Sequence, residues 1–189
     1  MTRRARAERR VMTKHVLFVQ GGGKGAHDVW DSVLVASLER ALGSGYTVRY
    51  PRMPREDRPD VVAWKRAIAR ELGELGDGAA LVGHSVGAAI LLAYLAEAEL
   101  ERRPSGVFLI APPFIGESGW PSDELRPTKE LAADLSRDTP IHFYHGRDDE
   151  TVPPSHVDLF AKVLPWATIR RLDGRDHQLH GDLSEVAAD

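Results

Sequence analysis

Ala79-Ala80-Leu81-Val82-Gly83-His84-Ser85-Val86-Gly87-Ala88-Ala89-Ile90-Leu91-Leu92 is the stretch that decides how this chain folds. Ala79–Val82 is an apolar run of strand length, and from Val86 to Leu100 the chain stays mostly apolar over a length that only a helix fills. Between them lies Gly83-His84-Ser85-Val86-Gly87, a G-x-S-x-G pentapeptide at a strand-to-helix turn. So tight a turn forces the serine into a strained backbone conformation, and the flanking glycines admit the close packing. The hydroxyl then projects above the sheet, where the helix N-terminus offers N–H groups to developing negative charge. A serine that merely caps a helix is the bland alternative, and the strand and helix in this order favour a reactive hydroxyl.

Outward from the elbow, short β-rich runs alternate with longer helical patterns, the order of an α/β fold with a mostly parallel sheet. The expected strands are His15–Gln20, Thr47–Tyr50, Ala79–Gly83, Val107–Ala111, Ile141–His145 and Ala167–Leu172. Val29 to Leu42 predicts a helix with Trp30, Val33, Leu34, Leu38 and Leu42 on one apolar stripe, closed by Gly43. Asp60 is placed to cap a helix carrying Val61, Trp64, Ile68, Leu72 and Leu75. Ser155 and Asp158 have capping-box spacing for a short helix through Val163, and a last amphipathic piece starts near Leu183. The irregular segment 112–140, rich in proline and glycine, follows a strand end, where open α/β sheets place their binding crevice. A short lid over the site is its expected role, with Phe114, Ile115 and Trp120 as apolar contacts for a substrate.

Composition narrows the partners. With 189 residues, 25 Lys and Arg against 28 Asp and Glu, and a net charge of -3, the chain is an ordinary globular one with no overall pull toward nucleic acid or anionic membrane. It has no cysteine, which excludes disulfides, thiolate catalysis and cysteine-based zinc sites. No apolar run reaches the roughly 20 residues that span a bilayer. Residues 1–13 carry five arginines with little apolar to bury, and read as a disordered basic tail rather than an export signal, with Met12 a plausible natural start. Residues 14–189 read as one domain, cytoplasmic, and a monomer or homodimer.

A serine hydroxyl needs a base to take its proton and an acid to orient that base. Two later segments fit: His145-Gly146-Arg147-Asp148-Asp149-Glu150-Thr151-Val152-Pro153 and Asp173-Gly174-Arg175-Asp176-His177. On residue type alone, Asp148 competes with Asp149 as the acid and His180 with His177 as the base. His84 reads as a packing or hydrogen-bonding neighbour of the elbow, while His15, His27, His142 and His156 read as structural or surface residues. No histidine pair has metal-ligand spacing with a carboxylate, so no metal is expected.

The run Gln20-Gly21-Gly22-Gly23 after the first strand, the Gly83–Gly87 elbow, the His145–Pro153 loop and Gly174–His177 together resemble small bacterial α/β-hydrolases related to the retinoblastoma-binding-protein-like serine hydrolases. The likeness extends from His15 to near the end of the chain. It implies a reduced α/β-hydrolase fold, a three-layer α/β/α sandwich of about six parallel strands without a leading antiparallel hairpin. It implies Asp149 as the acid, three residues after the loop glycine, His177 as the base, and Gly22 as one oxyanion donor. The second donor is the backbone N–H of Val86, just after the nucleophile. Relatives often carry histidine where this chain has Gln20, which leaves that loop's own hydrogen bonding open. The contact by which the retinoblastoma-binding relatives are known uses a cysteine, and cannot be carried over.

The run Gly21-Gly22-Gly23-Lys24-Gly25-Ala26 also fits G-x-G-x-x-A, a dinucleotide cradle. That reading needs an acid at the end of the second strand, and Arg49-Tyr50-Pro51-Arg52 has none. The sequence therefore predicts a cofactor-free serine hydrolase that cleaves a small-molecule ester or thioester. A catalytically idle binding protein and a nucleotide-dependent oxidoreductase are the alternatives.

Overall fold

A computed structural model describes residues 13–189; the expected basic tail and the proposed start at Met12 lie outside these residues apart from Thr13. Six strands form one all-parallel sheet in the order β2-β1-β3-β4-β5-β6. They are β1 (Lys14–Val19), β2 (Tyr46–Arg49), β3 (Ala80–His84), β4 (Gly106–Ile110), β5 (Ile141–Gly146) and β6 (Thr168–Leu172). All six expected strands are present to within a residue or two, and no antiparallel strand occurs among the described residues.

Side-chain alternation along these strands divides the core in two. Leu17, Val19, Leu81, Val107, Leu109 and Phe143 point to one face and pack against α2 (Val61–Glu74), α3 (Ser85–Glu97), α4 (Thr128–Asp134) and α5 (Ser155–Val163). Val16, Phe18, Val82, Ile110 and Tyr144 point to the other, under α1 (Asp31–Leu42) and α6 (Ser184–Ala188). Burial on both faces is why the strands read as continuous apolar runs instead of alternating ones. Helix α3 is buried nearly all round, from Gly87 to Ala93, as its composition requires. The result is the three-layer sandwich expected.

Three local expectations are corrected. The helix after the glycine loop does not begin at Val29: residues Ala26–Trp30 form one π-helical turn, and α1 starts at Asp31. That wide turn shifts Trp30 out of phase with the buried stripe, leaving it 56% exposed, while Val33, within α1, is 53% exposed beside the core-facing Leu34, Val35 and Leu38. The Ser155–Asp158 capping box does not form; Pro154 precedes α5 without a side-chain cap, and Asp158 pairs instead with Arg171. Asp60, by contrast, caps α2 as expected, accepting from the Ala63 N–H at 2.8 Å.

Segment 112–140 does not act as a lid over the sheet edge. Phe114, Ile115, Leu125, Leu131 and Leu135 are buried in the core beside α3 and α5. The Phe114 N–H donates to His156 Nδ1 at 2.9 Å, and the Ile115 N–H to Thr128 Oγ1 at 2.9 Å. Burial lowers the pKa of His156 and keeps that ring neutral, free to accept. Apolar residues of a proline-rich loop are drawn inward here because the loop's own amides find partners beneath them.

Candidate active site

The elbow between β3 and α3 is built on two close approaches. A Cβ on Gly83 would sit 2.7 Å from Ala88 Cα, and one on Gly87 would sit 1.9 Å from the carbonyl oxygen of Gln20. With both positions stripped to hydrogen, α3 drops against the end of β1, and Ser85 takes φ = 52°. A serine in the left-handed region costs about 1–3 kcal/mol, which the surrounding packing holds in place. Ser85 is the first residue of α3, so its hydroxyl stands at a helix N-terminus whose first amides have no helical carbonyl to bond.

Two loops after later strands converge on that hydroxyl. His177 Nε2 lies 3.0 Å from Ser85 Oγ, and His177 Nδ1 lies 2.8 Å from Asp149 Oδ2. A carboxylate only accepts, so Nδ1 carries the proton and Nε2 presents its lone pair to the serine O–H. Gly146 makes the convergence possible: a Cβ there would fall 2.1 Å from the Arg175 carbonyl oxygen. Asp149 is fully buried, and its other oxygen accepts from the N–H groups of Thr151 and Val152, both at 2.9 Å. Burial pushes its carboxyl up, but hydrogen bonds from His145 and His177 and the Val152 N–H outweigh burial. They hold it well below the usual carboxylate range. His145, whose Nε2 is 3.2 Å from Asp149 Oδ2 and 2.9 Å from the Val152 carbonyl oxygen, is a second support.

The rivals are placed elsewhere. Asp148 lines the crevice but stands outside this chain of contacts, and its N–H donates to the Arg175 carbonyl. His180 is exposed, in the left-handed region, and lies 3.7 Å from Asp176 rather than against Ser85.

On the other side of the serine, the glycine loop after β1 meets the elbow. A Cβ on Gly22 would come within 2.7 Å of Val86 Cγ1 and 2.8 Å of Pro59 Cγ, so the Gly22 backbone lies close beside Val86. The loop's shape is held by two residues far apart in sequence. Gln20 is completely buried; its Oε1 accepts from the Met53 N–H at 2.9 Å and its Nε2 donates to Glu56 at 2.8 Å. Glu56 accepts further from the N–H groups of Gly25 and His27. This answers the open question about Gln20. It also leaves the glycine run packed on the elbow.

Beneath the serine lies a pair of groups that the sequence did not single out as partners. His84 and Asp31 are 2% and 1% exposed, with Nδ1 and Oδ1 2.9 Å apart. Asp31 Oδ2 accepts from the Gly21 N–H at 2.6 Å, and His84 Nε2 faces the His177 carbonyl oxygen at 3.1 Å. Burial would lower the His84 pKa, but the Asp31 charge and hydrogen bond raise it on balance.

The open crevice over Ser85 has a volume of about 660 Å³ and is lined by Gly21, Gly22, Trp30, His84, Asp148, Glu150, Asp176 and His177 among others. None of Phe114, Ile115 and Trp120 lines it. The first two are in the core, and Trp120 packs edge-on against His156. The aromatic residue at the crevice is Trp30, turned outward by the π-helical turn that an unbroken helical stripe does not anticipate.

Residues 16–188 match the family described as "Alpha/beta hydrolase family". The chain belongs to that family. Its fold is shared by the ydeN gene product of B. subtilis, with a TM-score of 0.71 at 19% identity over 93% of this chain and 96% of that one. Arabidopsis thaliana SOBER1 superposes with a TM-score of 0.64 at 15% identity, covering 93% and 96%. The monoacylglycerol lipase of Paleococcus ferrophilus gives 0.60 at 16% identity, covering 92% and 91%. No curated protein matches the chain. These comparisons establish the wider α/β-hydrolase family; the narrower retinoblastoma-binding-protein-like resemblance rests on the sequence motifs alone. Among the described residues, no helix is long and apolar enough to cross a membrane.

Proposed function

We propose that the protein is a serine hydrolase that cleaves a small, uncharged ester or thioester through an acyl-enzyme. The observation that carries this reading is the unbroken contact from Ser85 Oγ through His177 to buried Asp149, at 3.0 and 2.8 Å, on a positive-φ elbow. In this reading His177 takes the serine proton as Oγ attacks the acyl carbonyl, and Asp149 holds the ring in the competent tautomer. The backbone N–H groups of Gly22 and Val86 receive the oxyanion. His177 returns the proton to the departing alcohol or thiol, and water then repeats the sequence to free the acid. No cofactor is needed for either half.

The crevice bears on the substrate. Its lining includes Asp148, Glu150 and Asp176 and no lysine or arginine among the described residues, which repels a substrate bearing a carboxylate or phosphate. Trp30 offers an apolar wall for a modest acyl or alcohol group. That one fold neighbour is named a monoacylglycerol lipase agrees with ester chemistry without specifying this substrate. The reading includes action in the cytoplasm, as a monomer or homodimer, on a small molecule.

The test is labelling by a fluorophosphonate probe of wild type, Ser85→Ala and His177→Ala. Labelling of wild type that is lost in both variants supports the reading. A well-folded wild type that does not label sinks it and favours an idle binding protein.

A further inference from the structure

Among the buried titratable residues that the proposed chemistry does not use, His84 and Asp31 lie nearest the serine. His84 occupies the second position of the pentapeptide, and both of its ring nitrogens face groups that can only accept: a carboxylate oxygen at Nδ1 and a carbonyl oxygen at Nε2. A neutral imidazole has one N–H and leaves one of these contacts without a proton. Asp31 is in the converse position. Its Oδ2 takes the Gly21 N–H, while Oδ1 has no neighbour that donates to it unless His84 does, at 2.9 Å and an oblique angle. Two lone ions would not survive at this depth, whereas an ion pair with hydrogen bonds on both outer ends does.

The ends of this pair are informative. One end holds the glycine loop at Gly21, next to the Gly22 amide. The other holds the backbone of His177, whose ring lies 4.9 Å from that of His84 between centroids. Ser85 is covalently next to His84. The pair therefore touches all three segments that must be in register for the serine to react: the loop after β1, the elbow after β3 and the loop after β6. The π-helical turn is what carries Asp31 inward to reach them; one residue earlier, Trp30 points to solvent.

We propose that Asp31 and His84 are positioning residues, a buried carboxylate–imidazolium strut that ties the glycine loop and the His177 loop to the Ser85 elbow. Neither touches the reacting atoms. This inference rests on the serine-hydrolase reading for its effect on rate but not for its protonation state.

The titratable groups facing the strut are few: besides each other, His84 faces the His177 ring and the distal charge of Asp149, Asp31 acts on Tyr50, and the crevice rim adds Asp148, Glu150, Asp176 and His180. Two substitutions separate geometry from charge. Asp31→Asn keeps an oxygen for the Gly21 N–H and gives an NH2 to donate to a neutral His84, whose Nε2–H still reaches His177. Asp31→Ala keeps neither link. The expected result is fluorophosphonate labelling within about threefold of wild type for Asn, and a loss of about 10²-fold for Ala, as a misplacement of roughly 1 Å produces. With an ester substrate, the Ala loss falls on kcat and leaves KM nearly unchanged. Equal labelling of Ala and wild type overturns the proposal, and so does an Asn variant as slow as Ala.

A second measurement does not depend on activity. In 15N-histidine spectra near neutral pH, His84 should show both nitrogens protonated in wild type and one in Asp31→Asn. A singly protonated His84 in wild type overturns the strut even if labelling is strong, and it keeps the test decisive if the Ala variant does not fold. Wild-type protein that fails to label while His84 is doubly protonated overturns the hydrolase reading and leaves the ion pair standing.

Discussion

Gly87 lies so near the end of β1 that a Cβ on it would fall 1.9 Å from the carbonyl oxygen of Gln20. Helix α3 and the glycine loop are thus seated on each other through one missing methyl group. Gly87→Ala should push α3 away from β1, displacing Val86 and Ser85 together. The expected outcome is loss of most fluorophosphonate labelling with a fall in melting temperature, since backbone and not a flexible side chain is in the way. A variant that labels normally would mean that the elbow tolerates the shift.

Asp149 and Asp148 are neighbours in sequence and differ completely in setting. Asp149→Asn removes the acceptor that fixes the His177 tautomer, and kcat should fall by about 10⁴-fold with the fold intact. Asp148→Asn leaves the Ser85–His177–Asp149 contacts in place and should change kcat less than about tenfold. Steady-state kinetics on one p-nitrophenyl ester checks both; a larger loss for Asp148 would reverse the assignment.

The depressed carboxyl of Asp149 makes stability depend on acid. Its folded pKa lies below its unfolded value of about 3.9. The unfolded chain therefore binds the proton first, and the contribution is complete above that unfolded value and lost as pH falls below it. Urea unfolding of wild type should weaken steeply from about pH 4 downward, and Asp149→Asn should flatten that dependence. An unchanged slope would mean that other carboxylates dominate.

Gln20 fills its site completely, bonding the Met53 N–H and Glu56. Gln20→Ala strands the Met53 amide and opens a cavity, and should cost about 2–4 kcal/mol in urea unfolding. Gln20→Glu sets one carboxylate against another and should cost more. If Glu is better tolerated than Ala, then one of the two acids is protonated in the fold.

Trp30 and Phe114 exchange roles relative to the sequence reading. Trp30→Ala should raise KM for apolar esters while barely moving the melting temperature. Phe114→Ala should destabilise by about 3–5 kcal/mol with KM unchanged. Paired thermal and kinetic measurements distinguish the two positions.

What was legible follows from how local each cause is. The strands are clear because both faces are buried, and the elbow is clear because strand, glycines and serine are contiguous. Asp149 and His177 each follow a strand, at loop positions a family resemblance can mark. Trp30 departs from the apolar stripe because the π-helical turn advances the helix by part of a residue, and no composition signal announces such a turn. Glu56 and Asp31 went unnoticed as supports because they act on backbone amides brought to them only by the finished fold: Glu56 on Gly25 and His27, Asp31 on Gly21. Proximity to a strand end does not say which way Phe114 and Ile115 turn; their burial in the core, with amides bonded to His156 and Thr128, does.

Because no residue of 112–140 borders the crevice, nothing from that segment would screen the acyl group that the proposed chemistry puts on Ser85. On that reading whatever acceptor diffuses in first would receive it, and in dilute aqueous solution that is overwhelmingly water. Such a catalyst would be a poor synthetic transferase. The same openness makes the segment a convenient place to graft a cover, since a longer loop there could be built out over Ser85 without disturbing any group that binds or moves a proton.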